Sequence, residues 1–163
     1  MGRQQSFKWY IESVKAITLW QPWATLVALG LKMYETRSWH TNHRGLLAIH
    51  AAGRGLFRPG YMDAANTAIV APGLKIEDLP FGSIVAVVDL SRCVRISQMM
   101  IHEIKEGERL VGDWTPGRYA WKLDNVRQLS EPVVCNGARK LWNVPTSLIE
   151  LLHQGGVTCS TRY

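Results

Sequence analysis

The segment from Gly30 to Gly45, "GLKMYETRSWHTNHRG", sets three cations, one carboxylate, two histidines and two aromatics within sixteen residues, with almost no aliphatic bulk to bury. Arg37 and Arg44 offer planar, many-donor forks that suit phosphate, and Lys32 offers a mobile point charge. Trp39 and Tyr34 have faces on which an unpaired base can stack, a contact worth roughly 1–3 kcal/mol. Lys32 and Glu35 together form an acid–base couple, since a partly desolvated lysine can act as a base while a carboxylate orients or relays a proton. Plainer roles stand beside these. If the segment is a strand, Glu35 and Arg37 share a face and form an ion pair that orders the loop. Trp39 then has an alternative role in the core. His40 and His43 have the spacing of a metal pair but no third ligand in view, so no metal and no cofactor is expected.

The charge pattern agrees with an anionic partner. The net charge is +6. Residues 31–60 carry Lys32, Arg37, Arg44, Arg54 and Arg58 against Glu35, whereas residues 61–138 are slightly acidic. The excess returns at the C-terminal end with Arg139, Lys140 and Arg162. A clustered positive field attracts polyanions, of which phosphate backbones are the commonest. Equally, it is what a solvated basic surface looks like. Three widely spaced cysteines, Cys93, Cys135 and Cys159, suggest neither a disulfide framework nor a zinc ribbon, and favour a reducing, cytoplasmic setting. No apolar run is long enough for a membrane span, and the polar start shows no secretory signal. Ser6 after Gly2 matches the loose myristoylation pattern, which is short enough to occur by chance.

The elements that must hold these residues follow from periodicity. "KAITLW" reads as a strand. "QPWATLVALGL" reads as a helix begun by Pro22 and stopped by Gly30, with Trp23, Leu26, Val27 and Leu31 on one face. Met33 to Arg37 reads as extended, and "GLLAIHAA" as a strand with Leu46, Ala48 and His50 opposite Leu47, Ile49 and Ala51. His50, among apolar neighbours, is expected to be a buried, satisfied histidine. "GRGLFRPG" reads as a loop and residues 60–70 as a short helix. "PFGSIVAVVDLSRCVRI" is the strongest strand, with a run that implies burial on both faces. "SQMMIHEIKEGERL" reads as one helix capped by Ser97. "GRYAWKLDNVRQLS" reads as a long strand and "EPVVCNGARKLWNVP" as a further strand and loop. "PTSLIELLHQ" reads as a helix ended by Gly155 and Gly156. Trp23 and Trp121 are assigned to the core. Trp142, just after Arg139 and Lys140, is a candidate for closing a binding cleft. Strands outnumber helices, which points to an α+β domain built on a mixed, partly closed β-barrel with a few short flanking helices. The expected division is an extension over 1–14, the domain over 15–154 and a tail over 155–163.

The run "QPWATLVALGLKMYETRSWHTNHRGLLAIHAA" closely resembles the ASCH domain, named for homology to the activating signal cointegrator and placed in the PUA-like superfamily of small RNA-associated barrels. The matching residues are Gln21-Pro22-Trp23-Ala24, then Gly30, Lys32, Glu35 and Arg37, then Trp39, Thr41 and Arg44-Gly45. "GSIVAVVDLSRC", "GRYAWKLDNVR" and "NGARKLWNVP" fit as well, so the resemblance covers roughly residues 15–146. It implies a cleft beside the barrel, lined by this element and facing nucleic acid or a nucleoside. Some family members are amidohydrolases acting on N4-acetylcytidine, with a lysine in this element, a threonine three residues later and a separate glutamate. Lys32 matches the lysine, but Glu35 stands where the threonine would be. The glutamate falls in the region of Glu103, Glu106 and Glu108 without being assignable. Other members are described as ribonucleases.

Two function classes follow. The first is a nucleic-acid-binding domain, for RNA before single-stranded DNA, in which Lys32, Arg37, Trp39, Thr41, Arg44, Arg139 and Lys140 make the contacts. The second is a hydrolase of a modified nucleoside, or a ribonuclease, using Lys32 and Glu35. An adaptor contacting a protein partner through an aromatic-rich surface is a third possibility, and would require a large exposed apolar patch.

Overall fold

The computed structural model of the protein describes residues 13–53 and 73–154. Residues 1–12, the expected loop from Arg54 and helix over 60–70, Cys159 and the tail from Gly155 lie outside the described residues. In chain order the elements are β1 (Lys15–Leu19), α1 (Trp23–Ala28), β2 (Tyr34–Arg37), β3 (Gly45–Ala51), a 3-10 turn (Ile76–Asp78), β4 (Ser83–Arg95), α2 (Gln98–Glu103), α3 (Glu106–Leu110), β5 (Tyr119–Val134), β6 (Leu141–Asn143) and α4 (Thr146–Gln154).

The strands form one mixed sheet in the order β2-β5-β4-β3-β1-β6, curled into a half-barrel. β1 runs parallel to β3, and every other pairing is antiparallel. Alternation in β3 explains why almost the whole strand is apolar. Leu47, Ile49 and Ala51 face the barrel interior with Ile17, Leu19, Trp121, Leu123 and the α1 residues Ala24 and Val27. Ala48 faces the other way, with Ala16, Ile84 and Val87, beneath Ile149 and Leu152 of α4. β4 is buried on both faces through its first half and then emerges, its later residues alternating with solvent. Trp121 is wholly enclosed, and truncating such a side chain costs about 3–5 kcal/mol. A small third cluster packs Ile96, Trp114 and Ala120 against Met100, Ile101 and Ile104.

Two expectations need correction. The segment after Ser97 makes two helices. Ser97 Oγ accepts the Met100 N–H as an N-cap, but Ile104 and Lys105 are extended and interrupt the helix. The break lets Ile104 stay with the Trp114 cluster while α3 turns Glu108 towards β2. Likewise the two strands expected over 117–134 are one. Pro132 sits inside β5 because the register shifts there: Gln128 pairs with Ala86 and Val133 with Ile84. A proline, with no N–H to give to the ladder, is tolerated at such an irregularity. Among the described residues no helix is long and apolar enough to cross a membrane.

Candidate functional site

Lys32 reaches the interior because α1 stops abruptly. Gly30 adopts φ 70, a left-handed conformation that other residues reach only under strain. The N–H groups of Leu31 and Lys32 both fold back onto the Leu26 carbonyl, at 2.8 and 3.1 Å. The Lys32 side chain is only 1 % exposed, and its ammonium donates to the Val111 carbonyl at 2.7 Å. Burial pulls its pKa below the ordinary lysine value, against the opposing attraction of Glu35 and Glu108. Glu35 Oε2 lies 3.7 Å from the ammonium.

β2 places Glu35 and Arg37 on one face, and they pair: Arg37 Nε is 2.8 Å from Glu35 Oε1, though the N–H does not point along a hydrogen-bond line. Arg37 Nη2 donates to the Thr18 carbonyl at 3.1 Å, tying β2 to β1 across the open side of the sheet. The Arg37 side chain is 28 % exposed.

The opposite wall is the segment from Glu108 to Trp114, strapped onto the 32–36 region by polar bonds. Glu108 accepts the Met33 N–H. The Asp113 N–H donates to Thr36 Oγ1 at 2.9 Å, and the Trp114 indole N–H to the Glu108 carbonyl at 2.9 Å. Arg118 donates to the Thr36 carbonyl at 3.3 Å and pairs with Asp113 at 3.2 Å. Burial raises the Glu108 pKa, opposed by the Met33 N–H and by the charge of Lys32. Asp113 is held below the usual carboxylate range, chiefly by the Thr115 hydroxyl.

Between these walls lies an open cleft of about 510 Å³. Leu19, Trp20, Trp23 and Trp39 supply its apolar surface; Lys32, Arg37 and Arg118 its cations; Glu35 and Asp113 its anions. Its formal charge is therefore +1. Trp39 is fixed by an edge-on contact with Trp121, the centroids 4.7 Å apart at 89°, so it serves core and cleft at once. The volume is that of a pocket for one small ligand, its wall shared about evenly between apolar and polar groups.

Of the residues singled out in the sequence, Lys32, Glu35, Arg37 and Trp39 come together here. Thr41 and Arg44 are not part of the lining. Arg44 closes its own turn, Nη1 donating to the Thr41 and His43 carbonyls at 2.9 and 2.7 Å, and the buried Thr41 hydroxyl accepts the His43 N–H. Arg139 and Lys140 are exposed on the turn before β6 and do not line the cleft either. Trp142 packs edge-on against His50 rather than over the cleft. His50 is buried as expected, Nε2 donating to the Cys135 carbonyl at 3.0 Å, but it is only half satisfied, because Nδ1 is buried with no hydrogen-bond partner among the described residues. His43 is spent on the Leu46 carbonyl, and no cluster of metal-ligating side chains occurs among the described residues.

Sequence reasoning missed Trp20, Asp113 and Arg118, and assigned Trp23 to the core although it is half-buried in the cleft wall. Nothing in the spacing links Lys32 to Val111. Of the three candidate glutamates only Glu108 turns inward; Glu103 and Glu106 are exposed.

Comparison with known proteins matches the ASCH domain family model to residues 17–133. Activating signal cointegrator 1 of Mus musculus is 26% identical over 159 residues, covering 94% of this chain and 25% of that protein. The Homo sapiens protein of the same name is 26% identical over 156 residues, with the same coverage. The chain thus spans about a quarter of the length of these curated relatives. The crystal structure of ASCH from Zymomonas mobilis superposes with TM-score 0.54 at 14% identity, covering 86% of this chain and 93% of that one. A Tyr-to-Phe mutant of the same protein gives 0.52, again at 14% identity, with 86% and 96% covered. At that identity the likeness concerns the fold alone. The family match spans most of the chain and contains the lysine–glutamate–arginine element and three of its cleft tryptophans, and the chain belongs to the ASCH domain family.

Proposed function

We propose that the cleft receives an unpaired base of a single-stranded nucleic acid, RNA before DNA, with the neighbouring phosphate held by Arg37. The observation that carries this is the combination of one ligand-sized hollow with Trp20, Trp23 and Trp39 at its walls and the partly exposed guanidinium of Arg37 in its lining. Indole faces accept any base, and looped or single-stranded RNA is the usual target of such stacking. Glu35 and Asp113 offset two of the three cations, so affinity comes from stacking and from a small number of phosphate contacts rather than from a strongly positive field. Isothermal titration of the chain with a short single-stranded RNA tests the reading. Measurable binding that weakens with salt and is abolished by Arg37→Glu supports it, and tight binding that ignores ionic strength contradicts it.

The buried lysine favours a second reading, a hydrolase acting on a modified nucleoside or on RNA. A lysine whose pKa is lowered by burial, with Glu35 beside it, has the character of a general base. Glu108 is then the separate carboxylate, reaching Lys32 electrostatically from the wall. Incubation with N4-acetylcytidine and with labelled RNA separates the two readings. Product formation lost in Lys32→Met, in a variant whose melting confirms folding, establishes the enzyme; retention of RNA without product favours the binder.

A further inference from the structure

The turn before β6, residues 136–140, is exposed throughout but firmly seated. The Cys135 N–H donates to the Gly82 carbonyl at 3.1 Å, and the Cys135 carbonyl accepts from His50. Thr18 Oγ1 donates to the Ala138 carbonyl at 3.0 Å and accepts the Trp142 indole N–H at 3.1 Å. Gly137 lies so close over the buried imidazole that a Cβ there would stand 2.4 Å from His50 Cε1 and 2.7 Å from Thr18 Oγ1. Lys140 is held at φ 58. All these contacts use backbone and interior groups. Arg139 and Lys140 make no hydrogen bond or ion pair among the described residues. Other exposed cations such as Arg92, Arg95 and Arg109 also lack an ion pair there, but Arg139 and Lys140 are adjacent on one seated turn. Lys32, Arg37, Arg118, Lys122 and Arg127 each face a carboxylate. No acidic residue occurs in the sequence between Glu131 and Glu150. Among the described residues the two cations therefore face no carboxylate, and the backbone that carries them is firmly seated.

Thr18 joins this turn to the cleft. Its carbonyl accepts from Arg37 and its hydroxyl holds Ala138, so the rim cation and the cationic turn stand on either side of one residue at the end of β1. The cleft itself accommodates one base and its charge is nearly balanced, so it has no means of following a chain of phosphates. We infer that Arg139 and Lys140 form a second phosphate subsite, reached from the cleft across Thr18, and that the ligand is consequently a single strand of several nucleotides rather than a free nucleoside. This rests on the reading of the cleft as a base receptor.

The test titrates uridine 5′-monophosphate and pentauridylate against the wild-type chain, Arg37→Glu and the double variant Arg139→Glu, Lys140→Glu, following tryptophan fluorescence over a range of salt. Wild type is expected to bind the pentamer more tightly than the mononucleotide. The double variant is expected to keep the mononucleotide affinity and lose the gain from chain length. The slope of log affinity against log salt should fall by about 1.4, two contacts at about 0.7 each. A double variant that retains both the gain and the slope overturns the subsite. Binding of both ligands that ignores Arg37→Glu overturns the base-receptor reading instead, while loss of the pentamer gain in the double variant would still uphold a phosphate surface at the turn. A wild-type chain that fails to bind the pentamer overturns both.

Discussion

Lys32 and Trp39 show how one side chain can serve structure and site together. Trp39 is braced edge-on by Trp121 and presents its remaining surface to the cleft. If a base stacks there, Trp39→Ala should weaken binding of a short single-stranded RNA by about 1–3 kcal/mol in a titration, and Trp39→Phe by less. The burial of His50 makes a prediction about stability. Burial holds its folded pKa below the ordinary 6.5, so on acidification the unfolded chain takes the proton first. The stability contributed by the neutral ring is complete above that value and is lost as pH falls from it towards the lower folded value. Glu108, with a raised pKa, has the opposite sign: its contribution grows as pH falls towards the carboxylate range. The comparison must therefore be with a variant: between about pH 7 and about pH 5 the Tm of wild type should fall more steeply than that of His50→Gln. At this scale the sequence was informative where chemistry is local. The pairing of Glu35 with Arg37, the buried His50 and the interior Trp121 all follow from alternation along a strand. What lies opposite Lys32 does not, because Val111 is 79 residues away and is brought there only by the tertiary fold.

At the scale of elements, the cleft exists because α1 is short and because a strap crosses β2. Gly30 has open space where a Cβ would be, so Gly30→Ala introduces backbone strain without a clash. It should destabilise the fold by about 1–2 kcal/mol in chemical denaturation. It should also disturb the entry of Lys32, which depends on the same turn. The strap from Glu108 to Trp114 is held on β2 by the Met33 and Asp113 N–H groups. Glu108→Ala leaves the half-buried Met33 amide without its partner, a loss of about 1 kcal/mol. Hydrogen exchange should report it as faster exchange at Met33 and Asp113 than in wild type, with the β3–β4 ladder unaffected. Strongly apolar strands were plain from the sequence, β3 and β4 above all. The helix break at Ile104 and Lys105 was hidden because no glycine or proline marks it. The joining of two strands across Pro132 was hidden because proline ordinarily reads as an end.

Seen as a whole molecule, the half-barrel brings the N-terminal third of the chain, β1 to β2, against the 108–118 region and leaves one hollow between them. The basic character evident in the composition does not collect in that hollow. Arg37 and Arg118 are largely offset by carboxylates, Arg44 is turned onto its own backbone, and Arg139 and Lys140, which face no carboxylate among the described residues, stand on the turn before β6. A count of charges along the sequence reveals the excess but not its compensation, which depends on which acids the fold sets beside which bases. The central claim, that the hollow receives an unpaired base, is tested most directly by the indole N–H resonances of the seven tryptophans during addition of a short oligouridylate. The resonances of Trp20, Trp23 and Trp39 should shift, while those of Trp121, enclosed in the barrel, and Trp114, bonded to the Glu108 carbonyl, should stay in place. Saturable binding with Trp20, Trp23 and Trp39 unmoved would contradict the account.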